Sequence, residues 1–176
     1  MRHIAFALCL MPHALWAAGS GDSTPPTPTQ TTKTCAAGLV WDAKTSTCVA
    51  PQDSRLDDDT RYDAVRELAY AGKIDAAQRV LSSMSDQQEV RVLTYWGFTY
   101  GRSGQYEKSL AAYGAALQKD PDSLLTRSYM GQAYVAMGAM ARAQEQLHEI
   151  RARGGAGTWP ATALSHAIRS GKGYSY

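Results

Sequence analysis

Side chains that do chemistry are scarce in this chain. Its 176 residues include 4 histidines, 3 cysteines and 2 phenylalanines. There is no G-x-S-x-G nucleophile elbow, no H-E-x-x-H helix, no phosphate-cradling glycine loop and no zinc-type spacing. His148 follows Glu145 on a helical stretch and reads as part of a solvated polar face. His166 has Ser165 beside it, but no third group that would activate either one. No catalytic residue, metal ligand or cofactor is therefore expected. Charge of one sign is equally thin. The net charge is +2 and 19% of residues are charged. Basic residues are interleaved with acids and form no aromatic-studded stripe, which argues against a nucleic-acid partner. Nor is there a long apolar run. Ile4 to Leu15 is interrupted by Pro12 and His13 and is too short for a comfortable membrane span.

That short run has the form of an export signal. Arg2 gives a positive start, and Ala17-Ala18-Gly19 offers small residues for cleavage, so residues 1–18 are expected to be a signal peptide. An uncleaved signal anchor is the alternative. Cys9 follows Leu8, which is too bulky for the usual lipid-attachment site. Cleavage removes Cys9 and leaves Cys35 and Cys48, which can pair in an oxidising compartment. Closing that loop stabilises by about 3 kcal/mol in the chain-entropy model. The short basic start suits bacterial export, to the periplasm first and to the medium second. No stable membrane span is expected after cleavage.

Residues 19–34 carry Pro25, Pro26 and Pro28 among Thr, Ser, Gly and Asp, with nothing apolar to bury. They read as a disordered, partly extended spacer. Residues 35–51 read as a small disulfide-closed segment. In it Leu39-Val40-Trp41 and Thr45 to Val49 are expected as strands around an Asp42-Ala43-Lys44 turn. The C-x2-G-x2-W-D pattern vaguely resembles small extracellular disulfide modules, some of which bind sugar. Trp41 is then either a ligand platform or a packing residue on its own disulfide or the first long helix.

Helical patterning follows. The segments expected are Arg61 to Tyr70, Ile74 to Met84, Val90 to Arg102, Tyr106 to Lys119, Ser123 to Ala136 and Met140 to Arg153. Asp57 to Thr60 supply capping chemistry, and Asp120-Pro121 ends the second pair. Pro160 starts a short last helix over Ala161 to Ile168, which either covers the open apolar face of the third pair or leaves that face to dimerise. Residues 171–176 are expected to be a flexible tail.

The middle of the chain repeats itself. Tyr95 matches Tyr129, Gly97 matches Gly131, Tyr100 matches Tyr134 and Gly104 matches Gly138, each 34 residues apart. A period near 34 is that of a helix–turn–helix array. Gly97 and Gly131 lack a Cβ and each occupies a helix at about 1 kcal/mol disadvantage, so both copies imply a tight helix contact. Tyr100 and Tyr134 share the same face. These residues therefore read as scaffold, and Ala116 and Ala143 as their small partners on the second helices. Gly101 reads as part of the turn ending at Gly104.

At these residues the chain resembles the tetratricopeptide-repeat family. Trp96-Gly97, Tyr100, Gly104, Tyr106, Tyr113, Ala116 and Asp120-Pro121 fall at that family's pattern positions. So do Met130-Gly131, Tyr134, Gly138, Ala143 and Leu147, with Gly155 where the closing proline would stand. The first copy, with Leu68, Gly72, Ala77 and Leu81, is degenerate. The resemblance implies an all-α domain over residues 57–170. It would comprise about three helix pairs and a capping helix, behind the small disulfide segment.

The resemblance also implies a function: non-catalytic binding of a protein or peptide in a concave groove lined by the first helix of each pair. By register, the groove positions are Tyr62, Arg66 and Tyr70, then Thr94, Phe98 and Arg102, then Ser128 and Gln132. No lysine–asparagine clamp for a terminal carboxylate stands among them. Arginines among aromatics suit a peptide with apolar and acidic groups. Phe98, the only phenylalanine after the expected signal, is either exposed in the groove or buried against the next first helix. A glycan- or cell-wall-binding protein, using the Cys35–Cys48 segment with the helices as spacer, is the alternative. The oligomeric state is not legible.

Overall fold

The computed structural model describes residues 24–36 and 38–174. The expected signal peptide, residues 1–18, and its cleavage point lie outside the described residues.

The chain first makes a short helix, α1 (Gln30–Lys33), and an antiparallel hairpin of β1 (Val40–Asp42) and β2 (Thr47–Val49). Trp41 pairs with Cys48, and the Cys35–Cys48 disulfide closes the segment with a Cα–Cα distance of 5.5 Å. The strands are displaced from the expected Leu39–Trp41 and Thr45–Val49. Asp42 causes the shift, because its carboxylate accepts hydrogen bonds from Lys44 N at 3.0 Å and Thr45 Oγ1 at 2.6 Å. The turn therefore runs through Thr45 and Ser46, with Ser46 at φ 53°. Alternate side chains point in, and Val40 and Val49 join Leu56 and Val65 in the main core.

The expected disordered spacer is corrected at its last residues. Thr29 caps α1, and the Glu67 carboxylate accepts hydrogen bonds from Thr29 N and Oγ1, both at 2.6 Å, and from Thr32 N at 3.0 Å. Thr32 Oγ1 also donates to Glu67. A single buried acid thus orders a segment that has no apolar side chains to hold it.

Six further helices form three antiparallel pairs. They are α2 (Asp58–Tyr70) with α3 (Ile74–Leu81), α4 (Val90–Arg102) with α5 (Tyr106–Lys119), and α6 (Leu124–Ala136) with α7 (Met140–Ala152). Asp57 caps α2 and Ser123 caps α6 through their side-chain oxygens. The turns at Gly104 and Gly138 adopt φ 75°, the left-handed conformation that glycine takes without penalty. Ala116 and Ala143 are completely buried. A last helix, α8 (Trp159–Ser170), lies against α6 and α7 and buries Ala161, Leu164 and Ala167. It covers the apolar face that the third pair would otherwise leave bare.

Both repeat glycines sit at tight contacts, but against different partners. Gly97 faces the ring of Tyr113 on α5, its own pair-mate, whereas Gly131 faces Leu164 on α8. The tyrosines also divide. Tyr134 is buried, while Tyr100 is half-buried, with Trp96 stacked on it at 5.4 Å.

Candidate functional site

The first helices α2, α4 and α6 line one side of the array, and most of the expected groove residues on it are covered. Phe98 is wholly buried. The rings of Tyr70, Tyr95, Tyr129 and Tyr174 pack around it, with centroids 4.7–5.7 Å away. Thr94 is buried between helices, its hydroxyl 2.7 Å from that of Thr126 on α6. Ser128 and Gln132 lie beneath α8. Ser128 Oγ donates to Pro160 O at 2.8 Å, and Gln132 Nε2 donates to Ser128 Oγ at 3.3 Å.

Tyr62 is buried beside Tyr95, with the Arg91 guanidinium 4.8 Å from its ring centroid. Arg66 donates to Thr24 O at 2.7 Å and is covered by the segment leading to α1. The expectation of exposed groove positions is therefore corrected for Tyr62, Arg66, Thr94, Ser128 and Gln132, and of the two readings of Phe98 the structure has the buried one, against Tyr129 of the next first helix. The physical reason is that chain from outside the pairs folds back over their first helices. Only Tyr70, half-buried, and Arg102, exposed, keep solvent contact.

The second pair carries the most specific cover. Gly171 ends α8 at φ 67°, and the chain returns across α6 and α4. Tyr174 reaches the face of α4 and is 5% exposed, so the expected flexible tail is corrected at this residue. Ser175 and Tyr176 lie outside the described residues. The Tyr174 ring meets Phe98 edge-on at 5.2 Å. Its phenol oxygen lies 3.2 Å from that of Tyr113, its carbonyl accepts from Arg102 Nη1 at 2.8 Å, and Tyr113 and Ser109 hydrogen-bond the phenol. Burial pushes the phenol up to about 12 from its ordinary 10.0, against the opposing pull of those hydrogen bonds.

Gly101 is what makes room. It lies inside α4, not in the turn, and any side chain on it would strike the Tyr174 phenol. Sequence reading missed Tyr174, Gly101, Ser109 and Gly173 as a set. A second glycine four residues after Gly97, on the same helix face, was the available signal. Among the described residues, no three His, Cys, Asp or Glu side chains come together to hold a metal ion.

Stacked helix pairs in one register, with a chain segment laid across their first helices, define a helical-repeat architecture. The Tetratricopeptide repeat family model matches residues 102–156, from the end of α4 through α7, and over that stretch the chain is similar to tetratricopeptide repeats. Repeats of this family generally mediate protein–protein interaction. No curated protein and no solved structure matches the chain.

Proposed function

We propose that this protein is a non-catalytic adaptor or scaffold of the cell envelope, holding a protein or peptide partner on the concave side of its helical repeats. The carrying observation is the repeat array, in which α4 to α7 keep one register and present their first helices side by side. The Cys35–Cys48 disulfide supports export to an oxidising compartment, with the periplasm first and the medium second. No helix among the described residues is long and apolar enough to cross a membrane, which is compatible with a cleaved export signal. Affinity capture from bacterial envelope extract, read by mass spectrometry, tests the reading. A reproducible protein set that is reduced by Arg102→Glu is expected. Capture of nothing beyond an unrelated bait rejects it. Phosphatase fused after residue 34 should be active only if the chain is exported.

One observation favours the second reading, glycan or cell-wall binding through the disulfide segment. Trp41 lines a cleft together with Thr29, Thr31, Asp63 and Arg66, polar groups of the kind that hold sugars. Sedimentation with peptidoglycan or chitin that is abolished by Trp41→Ala decides for it. Equal sedimentation of both chains decides against it.

A further inference from the structure

The segment after α8 sits on the repeats as a bound peptide would. Gly173 lies so close to α6 that a Cβ there would collide with Gln132 O and press on Ala136. Tyr174 then enters the seat between α4 and α5, where Gly101 leaves the space its phenol fills. The backbone of the segment is gripped as well as its side chain, since Arg102 donates to the Tyr174 carbonyl. The matching positions of the third pair carry Ala136 for Arg102 and Val135 for Gly101. Ala136 leaves room for Gly173, and Val135 leaves no comparable space for a ring. The third pair therefore has no such seat. Tyr174 itself holds φ 54°, a conformation that L side chains rarely adopt, so the occupant fits under backbone strain.

We propose that this seat is a recognition site for a partner peptide that turns at a tyrosine just after a small residue, and that Gly173–Tyr174 is its resident, displaceable occupant. The inference rests on the adaptor reading and supplies the chemistry of the partner. Tyr113 and Ser109 recognise the phenol, Arg102 the following carbonyl, and the α6 backbone the small residue. A tether this short gives its own occupant a millimolar effective concentration, so a partner competes by adding contacts along α2 and α4 or by arriving at high local concentration.

The test uses the full chain and a labelled peptide Lys-Gly-Tyr-Ser-Tyr, copied from residues 172–176. Binding is read by fluorescence anisotropy. Tyr174→Ala empties the seat, and Gly173→Ala evicts the segment without altering the seat. Far-UV circular dichroism selects whichever variant keeps its helices. The opened chain should bind the peptide at least about tenfold tighter than wild type. Replacing the peptide's first tyrosine by phenylalanine should weaken binding up to about tenfold, and adding Arg102→Ala to the opened chain should weaken it further. An opened, folded chain that ignores the peptide, or that binds an alanine version equally well, overturns the seat. If partner capture from envelope extract persists in that case, the adaptor reading survives. If the peptide binds but competes with no captured protein, the assigned partner is overturned and the seat is only an intramolecular clasp.

Discussion

The second and third helix pairs share a 34-residue register yet cover their first helices in different ways. In the second, a single aromatic side chain from outside the array inserts among Phe98, Tyr113 and Gly101. In the third, a whole helix lies across Ser128 and Gln132 and anchors itself through Leu164. The tyrosines and glycines that the copies share build the stack. The residues that differ, Phe98 against Gln132, Gly101 against Val135 and Arg102 against Ala136, decide what can lie on it. A repeat's shared positions thus encode architecture, and its mismatched positions encode occupancy.

That comparison can be broken most sharply at its aromatic centre. Phe98→Ala removes a fully buried ring from contact with four others and should lower unfolding free energy by about 4 kcal/mol in urea titration. A loss under about 1 kcal/mol would mean that Phe98 is not core.

The next largest effect is on pH dependence. Tyr174 titrates at about 12 in the folded chain against 10.0 when free, so its folded pKa is raised. Its contribution is complete below pH 10 and is lost as pH climbs towards 12. The share at stake is about 2–3 kcal/mol. Tyr174→Phe should flatten the stability profile in that alkaline window and leave it unchanged at neutral slopes. An identical alkaline fall in both chains would remove Tyr174 from the account.

Glycine substitutions separate the two pairs further. Gly97→Ala drives a Cβ into the Tyr113 ring inside the second pair and should destabilise by about 2–3 kcal/mol in thermal or urea unfolding. Gly131→Ala meets the flexible end of Leu164, so α8 can yield, and the expected loss is nearer 1 kcal/mol. Faster amide exchange confined to α8 would mark the second case. The smallest effect belongs to Ser128→Ala, which removes the buried hydrogen bond to Pro160 O and should lower stability by about 1 kcal/mol.

Much of the scaffold was legible because it is local. Helix periodicity, turn glycines and cap residues act over a few positions, and the Cys35–Cys48 pair followed from parity. What covers the scaffold was not legible, because it depends on returns of chain from far away. Glu67 orders α1 across 35–38 residues of sequence, and neither partner's neighbourhood announces it. Register correctly put Thr94, Phe98, Ser128 and Gln132 on first helices, but register says nothing about whether Pro160 or Tyr174 will lie above them. Gly101 was misread for a related reason. A glycine near a helix end looks like a terminator, and only the incoming phenol reveals it as a vacancy kept open.

The two ends of the stack carry a final consequence. At one end the disulfide hairpin lays Val40 and Val49 into the core beside Leu56, and at the other α8 buries Leu164 and Ala167. Among the described residues, Met137 is the one large apolar side chain left substantially exposed. A helical array with bare ends can polymerise head to tail, each copy adding to the last. Among the described residues, both end faces of this one are covered, by unrelated devices. Another copy stacking on either face would first have to displace the hairpin or α8.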